Sequence, residues 1–95
     1  MFEVTLISDK IEGSIRKASF LTCGAVCSSQ IDIELDGDTV LDVRFTGGCH
    51  GNLQGIGALV SGMKKDDVID RISGINCKGR GTSCPDQLSR ALKML

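Results

Sequence analysis

Five cysteines are the residues of this 95-residue chain best suited to chemistry: Cys23, Cys27, Cys49, Cys77 and Cys84. An odd number cannot be closed completely into disulfides within one chain. The stretch Met1–Lys10 lacks a basic start followed by an apolar run, so no secretory signal is read and a reducing cytoplasm is expected. Clustered thiols in that compartment point to metal or redox chemistry more than to staples, although a single cysteine also reads as a small buried hydrophobe. Each of the five falls on an expected loop or helix start. Loops at the ends of packed elements can converge at one edge of a small domain, and four thiolates there suit a tetrahedral zinc ion or an iron–sulfur cluster. The spacings Cys23-x3-Cys27 and Cys77-x6-Cys84 are looser than the C-x2-C pairs of zinc ribbons, so spacing alone does not single out a metal.

Two cysteines carry a further property. Cys49 lies just ahead of an expected helix and Cys84 in the first turn of another, where free N–H groups and the positive dipole end favour the thiolate. Lys78 and Arg80 act in the same direction, and Cys84 is expected to be the thiol most readily alkylated. The turn Gly47-Gly48-Cys49-His50-Gly51-Asn52 has a second reading. A glycine-rich strand-to-helix turn presents N–H groups to an anion and could hold the phosphate of a nucleotide or flavin. It matches neither G-x-G-x-x-G nor the P-loop, and a tight turn needing positive φ explains the same glycines. His50, the sole histidine, reads as a fifth ligand, an acid–base group or an exposed loop residue. Cys23 is an accessory candidate, as are Lys78 and Arg80.

The elements that must position these residues are mostly legible. Phe2, Val4 and Leu6 alternate with Glu3 and Thr5, predicting a short strand over 2–7 followed by a polar loop over 8–14. Residues 15–22 are read as a second strand. Ile31, Ile33 and Leu35, then Leu41, Val43 and Phe45, alternate with charged residues on either side of Asp36-Gly37-Asp38. This predicts a hairpin over about 30–46 with one apolar face and a solvated face of Asp32, Glu34, Asp42 and Arg44. Leu53, Ile56, Val60 and Met63 mark a helix by their 3.6-residue period. Gly55, Gly57 and Gly62 within or near it imply tight packing on the sheet, or close approach of a ligand. Asp66 and Asp67 open a second helix that Gly74 ends. Ser83, Pro85 and Asp86 open a third, with Leu88, Ala91, Leu92 and Leu95 on its apolar face. Strands first and helices after predict an α+β fold: a small antiparallel sheet packed on two to three helices, in one domain over 1–95.

Composition narrows the function. A formal net charge of −1, no Trp or Tyr and only three Phe argue against binding nucleic acid through phosphates or base stacking. No apolar run of about 18 residues offers a membrane span.

Phe45-Thr-Gly-Gly-Cys-His-Gly-Asn-Leu53 and Thr82-Ser-Cys-Pro-Asp-Gln-Leu88 resemble the TSCPD-domain family. These are small stand-alone proteins similar to the C-terminal module of adenosylcobalamin-dependent ribonucleotide reductases. The resemblance covers about residues 15–95 and leaves 1–14 as an extension. It implies metal binding at Cys27, Cys49, Cys77 and Cys84, with Cys23 outside the pattern. It also implies a ribonucleotide reductase or a redox protein as partner. The chain is too short to be a complete reductase by itself. The order of strands and cysteine-bearing helix starts is similar to that of iron–sulfur scaffold proteins, an analogy of placement. The leading expectation is a small cysteine-rich module for zinc or an iron–sulfur cluster. The alternative is a thiol-redox protein, or one that binds a nucleotide or flavin at Gly47–Asn52, with a site shared across a homodimer as one arrangement.

Overall fold

A computed structural model describes residues 2–95. The chain runs β1 (Thr5–Glu12), β2 (Ile15–Leu21), β3 (Ser28–Asp36), β4 (Thr39–Gly47), α1 (His50–Val60), α2 (Lys65–Ile72) and α3 (Cys84–Lys93). The four strands form one antiparallel meander in the order β1-β2-β3-β4. With three helices following, the fold is α+β.

The hairpin pattern sets the phase of the sheet. Ile31 pairs with Phe45 and Ile33 with Val43, and Phe20 and Ala18 of β2 sit opposite Ile31 and Ile33. Phe20, Ile31, Ile33 and Val43 are buried and Phe45 is packed against the core, as the alternation requires. Val60, Val68, Leu88, Ala91 and Leu92 close this face from the helices. Burying a side chain such as Leu88 or Leu92 contributes roughly 1.5–3 kcal/mol each. The opposite face stays polar. Ser19 Oγ and Gln30 Nε2 donate to Asp32 at 2.6 and 2.9 Å, and Arg44 Nε donates to Asp42 at 2.9 Å.

Two elements differ from the sequence reading. The strand expected over 2–7 begins only at Thr5, and the expected loop over 8–14 is strand as far as Glu12. Asp9, Lys10, Ile11 and Glu12 pair with β2, and polar side chains are tolerated because β1 is an edge strand whose residues are mostly exposed. In β4 the phase slips by one residue. Leu35 pairs with Val40 but Glu34 with Asp42, so Leu41 is the extra residue of a β-bulge. Val40 is therefore fully buried and Leu41 exposed, the reverse of the simple alternation.

Helix α1 shows why one of its glycines is needed. A Cβ on Gly57 would lie 2.6 Å from the Val43 carbonyl oxygen, whereas one on Gly55 would meet nothing within 4 Å. Gly57 thus lets α1 lie directly on β4, and Gly55 has no such duty. The two substitutions to alanine are expected to differ in sign. Gly57→Ala should destabilise by about 1–3 kcal/mol through forced displacement. Gly55→Ala should stabilise by up to about 1 kcal/mol through helix propensity. Paired denaturant titrations read both, and a Gly57→Ala variant as stable as the parent would refute the close-packing account.

A candidate cysteine site where two helices begin

The site is built from three segments. The first is the Thr22–Cys27 connection ahead of β3. Thr22 Oγ1 donates to the Ser28 carbonyl at 2.6 Å, and the Cys23 amide donates to Gln87 Oε1 at 3.0 Å. The second is the β4–α1 turn. Gly47 and Gly48 both take positive φ, 80° and 77°. A Cβ on Gly48 would lie 3.2 Å from Ser28 N and 2.8 Å from the Leu53 side chain. The space beside Gly48 is therefore taken by Leu53 and the backbone bearing Cys27. That close approach sets Cys49, the N-cap residue of α1, alongside Cys27; Cys49 makes no side-chain cap.

The third segment runs from Gly74 to Cys84 and is held by the pentapeptide Thr82–Asp86. Ser83 is the N-cap of α3: its Oγ accepts from the Asp86 amide at 3.1 Å and donates to the Ile75 carbonyl at 2.6 Å. The Asp86 carboxylate does not return to the Ser83 amide, as a reciprocal capping box would. It accepts instead from the Gly74 amide at 2.7 Å, the Thr82 hydroxyl at 2.7 Å and Arg90 Nε at 2.9 Å. Burial pushes the Asp86 pKa up, but the Thr82, Arg90 and Gly74 hydrogen bonds and the Arg90 charge outweigh it and hold the carboxyl below its ordinary value. Pro85 falls in the first turn, where a missing N–H costs little. Cys84 Sγ lies 3.2 Å from Ser28 Oγ, which ties the start of α3 to the start of β3. The Cys77 amide donates to the Thr82 carbonyl at 3.1 Å, so Cys77 is fixed on the same loop.

Cys27, Cys49, Cys77 and Cys84 line one cavity of about 240 Å³, together with Arg80, Asn52 and apolar side chains such as Ile56 and Leu53. Arg80 Nη1 stands 4.0 Å from Cys27 Sγ. Among the described residues, no three Cys, His, Asp or Glu side chains are gathered as a metal shell, and all five cysteines are free thiols. The donor chemistry suits a soft ion, since the cavity lining holds four thiols and no carboxylate.

The other candidates scatter. Cys23 and Lys78 are absent from the cavity lining. His50 is exposed against Gln54 Nε2 and borders, with Gly47, a separate hollow of about 280 Å³. Gly51 is exposed and has nothing beside it. Cys84 is half-buried whereas Cys27 and Cys49 are exposed, so access favours alkylation of the latter two. Sequence reading missed Ser28 and Gln87. Gln87 is fully buried, and its Nε2 donates to the Phe2 carbonyl at 2.7 Å and to Thr82 Oγ1 at 3.1 Å.

Among the described residues no helix is long and apolar enough to cross a membrane. No curated protein and no solved structure matches the chain. A family model described as the TSCPD domain matches residues 9–95, beginning inside β1 and including all five cysteines. With Thr82–Asp86 forming the lock at the start of α3 and the match spanning nearly the whole chain, this protein belongs to the TSCPD domain family.

Proposed function

We propose that this protein is a metal-binding module in which Cys27, Cys49, Cys77 and Cys84 together take up zinc or an iron–sulfur cluster. The observation that carries the reading is that four cysteines from separate segments line one cavity while Cys23 does not. Soft thiolates select zinc and iron–sulfur centres over hard cations. Four thiolates leave a zinc site with excess negative charge, and Arg80 beside Cys27 is placed to offset it. Uptake draws the sulfurs inward, and the segments able to supply that movement are the irregular ones, 22–27 and 73–83. Bound metal would join these loops to the first turns of α1 and α3. The similarity to the reductase-associated module supports a ribonucleotide reductase, or a redox protein serving one, as the partner.

The test is elemental analysis and a visible spectrum of protein purified without oxygen, repeated on single Cys→Ser variants. Zinc or iron is expected in the parent and in Cys23→Ser, and a marked loss in the variants at Cys27, Cys49, Cys77 and Cys84. A metal-free, colourless parent that takes up neither zinc nor iron, or metal content indifferent to those four substitutions, refutes the proposal.

A further inference from the structure

The two edges of the sheet are treated differently. On the β4 side the chain covers its own edge. The Val40 amide donates to the Met63 carbonyl at 2.8 Å, the Gly62 amide to the Val40 carbonyl at 2.7 Å, and the Lys65 amide to the Asp38 carbonyl at 2.7 Å. Ser61 Oγ donates to the Leu41 carbonyl at 2.9 Å, and the bulge at Leu41 interrupts the ladder further. On the β1 side nothing comparable exists. Among the described residues, the backbone of Thr5–Glu12 has no hydrogen-bonded neighbour beyond β2. This open edge is also apolar: Leu6, Ile7 and Ile11 are 40%, 49% and 72% exposed. A bare edge of eight residues with exposed aliphatic side chains is a template for another strand.

The sequence of β1 favours its own copy as that strand. A two-fold axis normal to the sheet pairs β1 antiparallel with itself and keeps each side chain on its own face. Ile11 lies on the helix-bearing face, because its partner Arg16 is in phase with Ala18 and Phe20. Lys10 and Glu12 lie on the other face. With Ile11 at the axis, Ile11 meets Ile11 of the second copy, the most exposed apolar side chain of the strand covering itself. Lys10 then stands opposite Glu12 of the second copy, and the symmetry repeats that pair. Registers centred on Asp9 or on Lys10 instead set like charges against each other. We infer that the end of β1 next to the β1–β2 turn is the dimer interface of this protein, joining two copies edge to edge through the three residues Lys10, Ile11 and Glu12 of each, while Thr5–Asp9 runs on past the β1 of the second copy. The cysteine cavity of each copy, lined from the far ends of β3 and β4, takes no part in this interface.

The test is sedimentation equilibrium over a broad concentration range. The parent is expected to be a dimer that dissociates on dilution. Lys10→Glu should raise the dimer dissociation constant by roughly tenfold to a hundredfold, because each substitution counts twice across the axis. Lys10→Glu combined with Glu12→Lys should restore association, and Ile11→Asp should abolish it. Circular dichroism confirms that each variant is folded; the charge-swap pair keeps the test valid if Ile11→Asp is not. A parent that stays monomeric at every concentration overturns the inference. So does a dimer indifferent to Lys10→Glu and Ile11→Asp, which forms through another surface.

Discussion

Asp86→Ala is expected to cost about 3–5 kcal/mol of stability, the range for removing one member of a buried charged network. That is a large part of the roughly 5–15 kcal/mol by which a typical domain is stable. The carboxylate serves three donors at once: the Gly74 amide that ends the α2 region, the Thr82 hydroxyl, and Arg90 one turn along α3. Alanine leaves the Thr82 hydroxyl, itself fully buried, without the acceptor it is aimed at. Asp86→Asn keeps one acceptor oxygen, replaces the other with an NH2 donor and loses the charge that pairs with Arg90, and should cost less than alanine. The carboxyl is held below its ordinary value, so the folded chain binds this proton less tightly than the unfolded one. Its contribution is fully present above the ordinary carboxylate range, about pH 4, and is lost as pH falls through the depressed folded value. Acid titration should therefore show parent and Asp86→Asn converging below that range. Amide exchange at Gly74 and Cys77 should rise most in Asp86→Ala. A loss under about 1 kcal/mol, with exchange unchanged there, would remove Asp86 from its role as the lock of the cysteine loop.

That lock shows which parts of the molecule are legible along the chain. Period-2 alternation placed β3 and most of β4, and Ser83, Pro85 and the Leu88–Leu92 stripe placed α3, because those signals are local. That Cys27, Cys49, Cys77 and Cys84 fall on loops and helix starts is legible along the chain; their lining of one cavity depends on contacts between segments far apart in sequence. The bulge at Leu41 was not legible: an extra residue inverts the phase of the strand end without changing its composition. Nor was the duty of Asp86. A carboxylate at the third position of a helix looks like half of a capping box, and only the fold shows it reaching back to Gly74. Gln87 reads as an ordinary polar helix residue, yet it joins Phe2, Cys23 and Thr82. Partners tens of residues apart leave no periodic mark.

Zinc at about a thousandfold over its Kd is expected to raise the unfolding free energy by about 4 kcal/mol, a rise in Tm of roughly 15–30 °C for a domain of this size. The effect is expected to be an increment rather than a folding switch, because the core from Val4 to Leu92 contains no cysteine. In this it differs from a zinc finger, which has no fold to begin with. Zinc must displace protons from the thiols it binds, so the increment should shrink as pH falls. Cys84→Ser should remove most of it, since an alcohol is a poor ligand at a soft site. The zinc-free stability should change far less, because serine fills nearly the same volume beside Ser28. Cys23→Ser, whose thiol lies outside the cavity lining, should keep the full increment. Scanning calorimetry on the parent and these two variants, with and without zinc, separates the roles. If neither zinc nor iron moves the transition, the metal reading fails. Mild oxidation that then links Cys27 with Cys49, or Cys77 with Cys84, would transfer the same cavity to thiol–disulfide exchange.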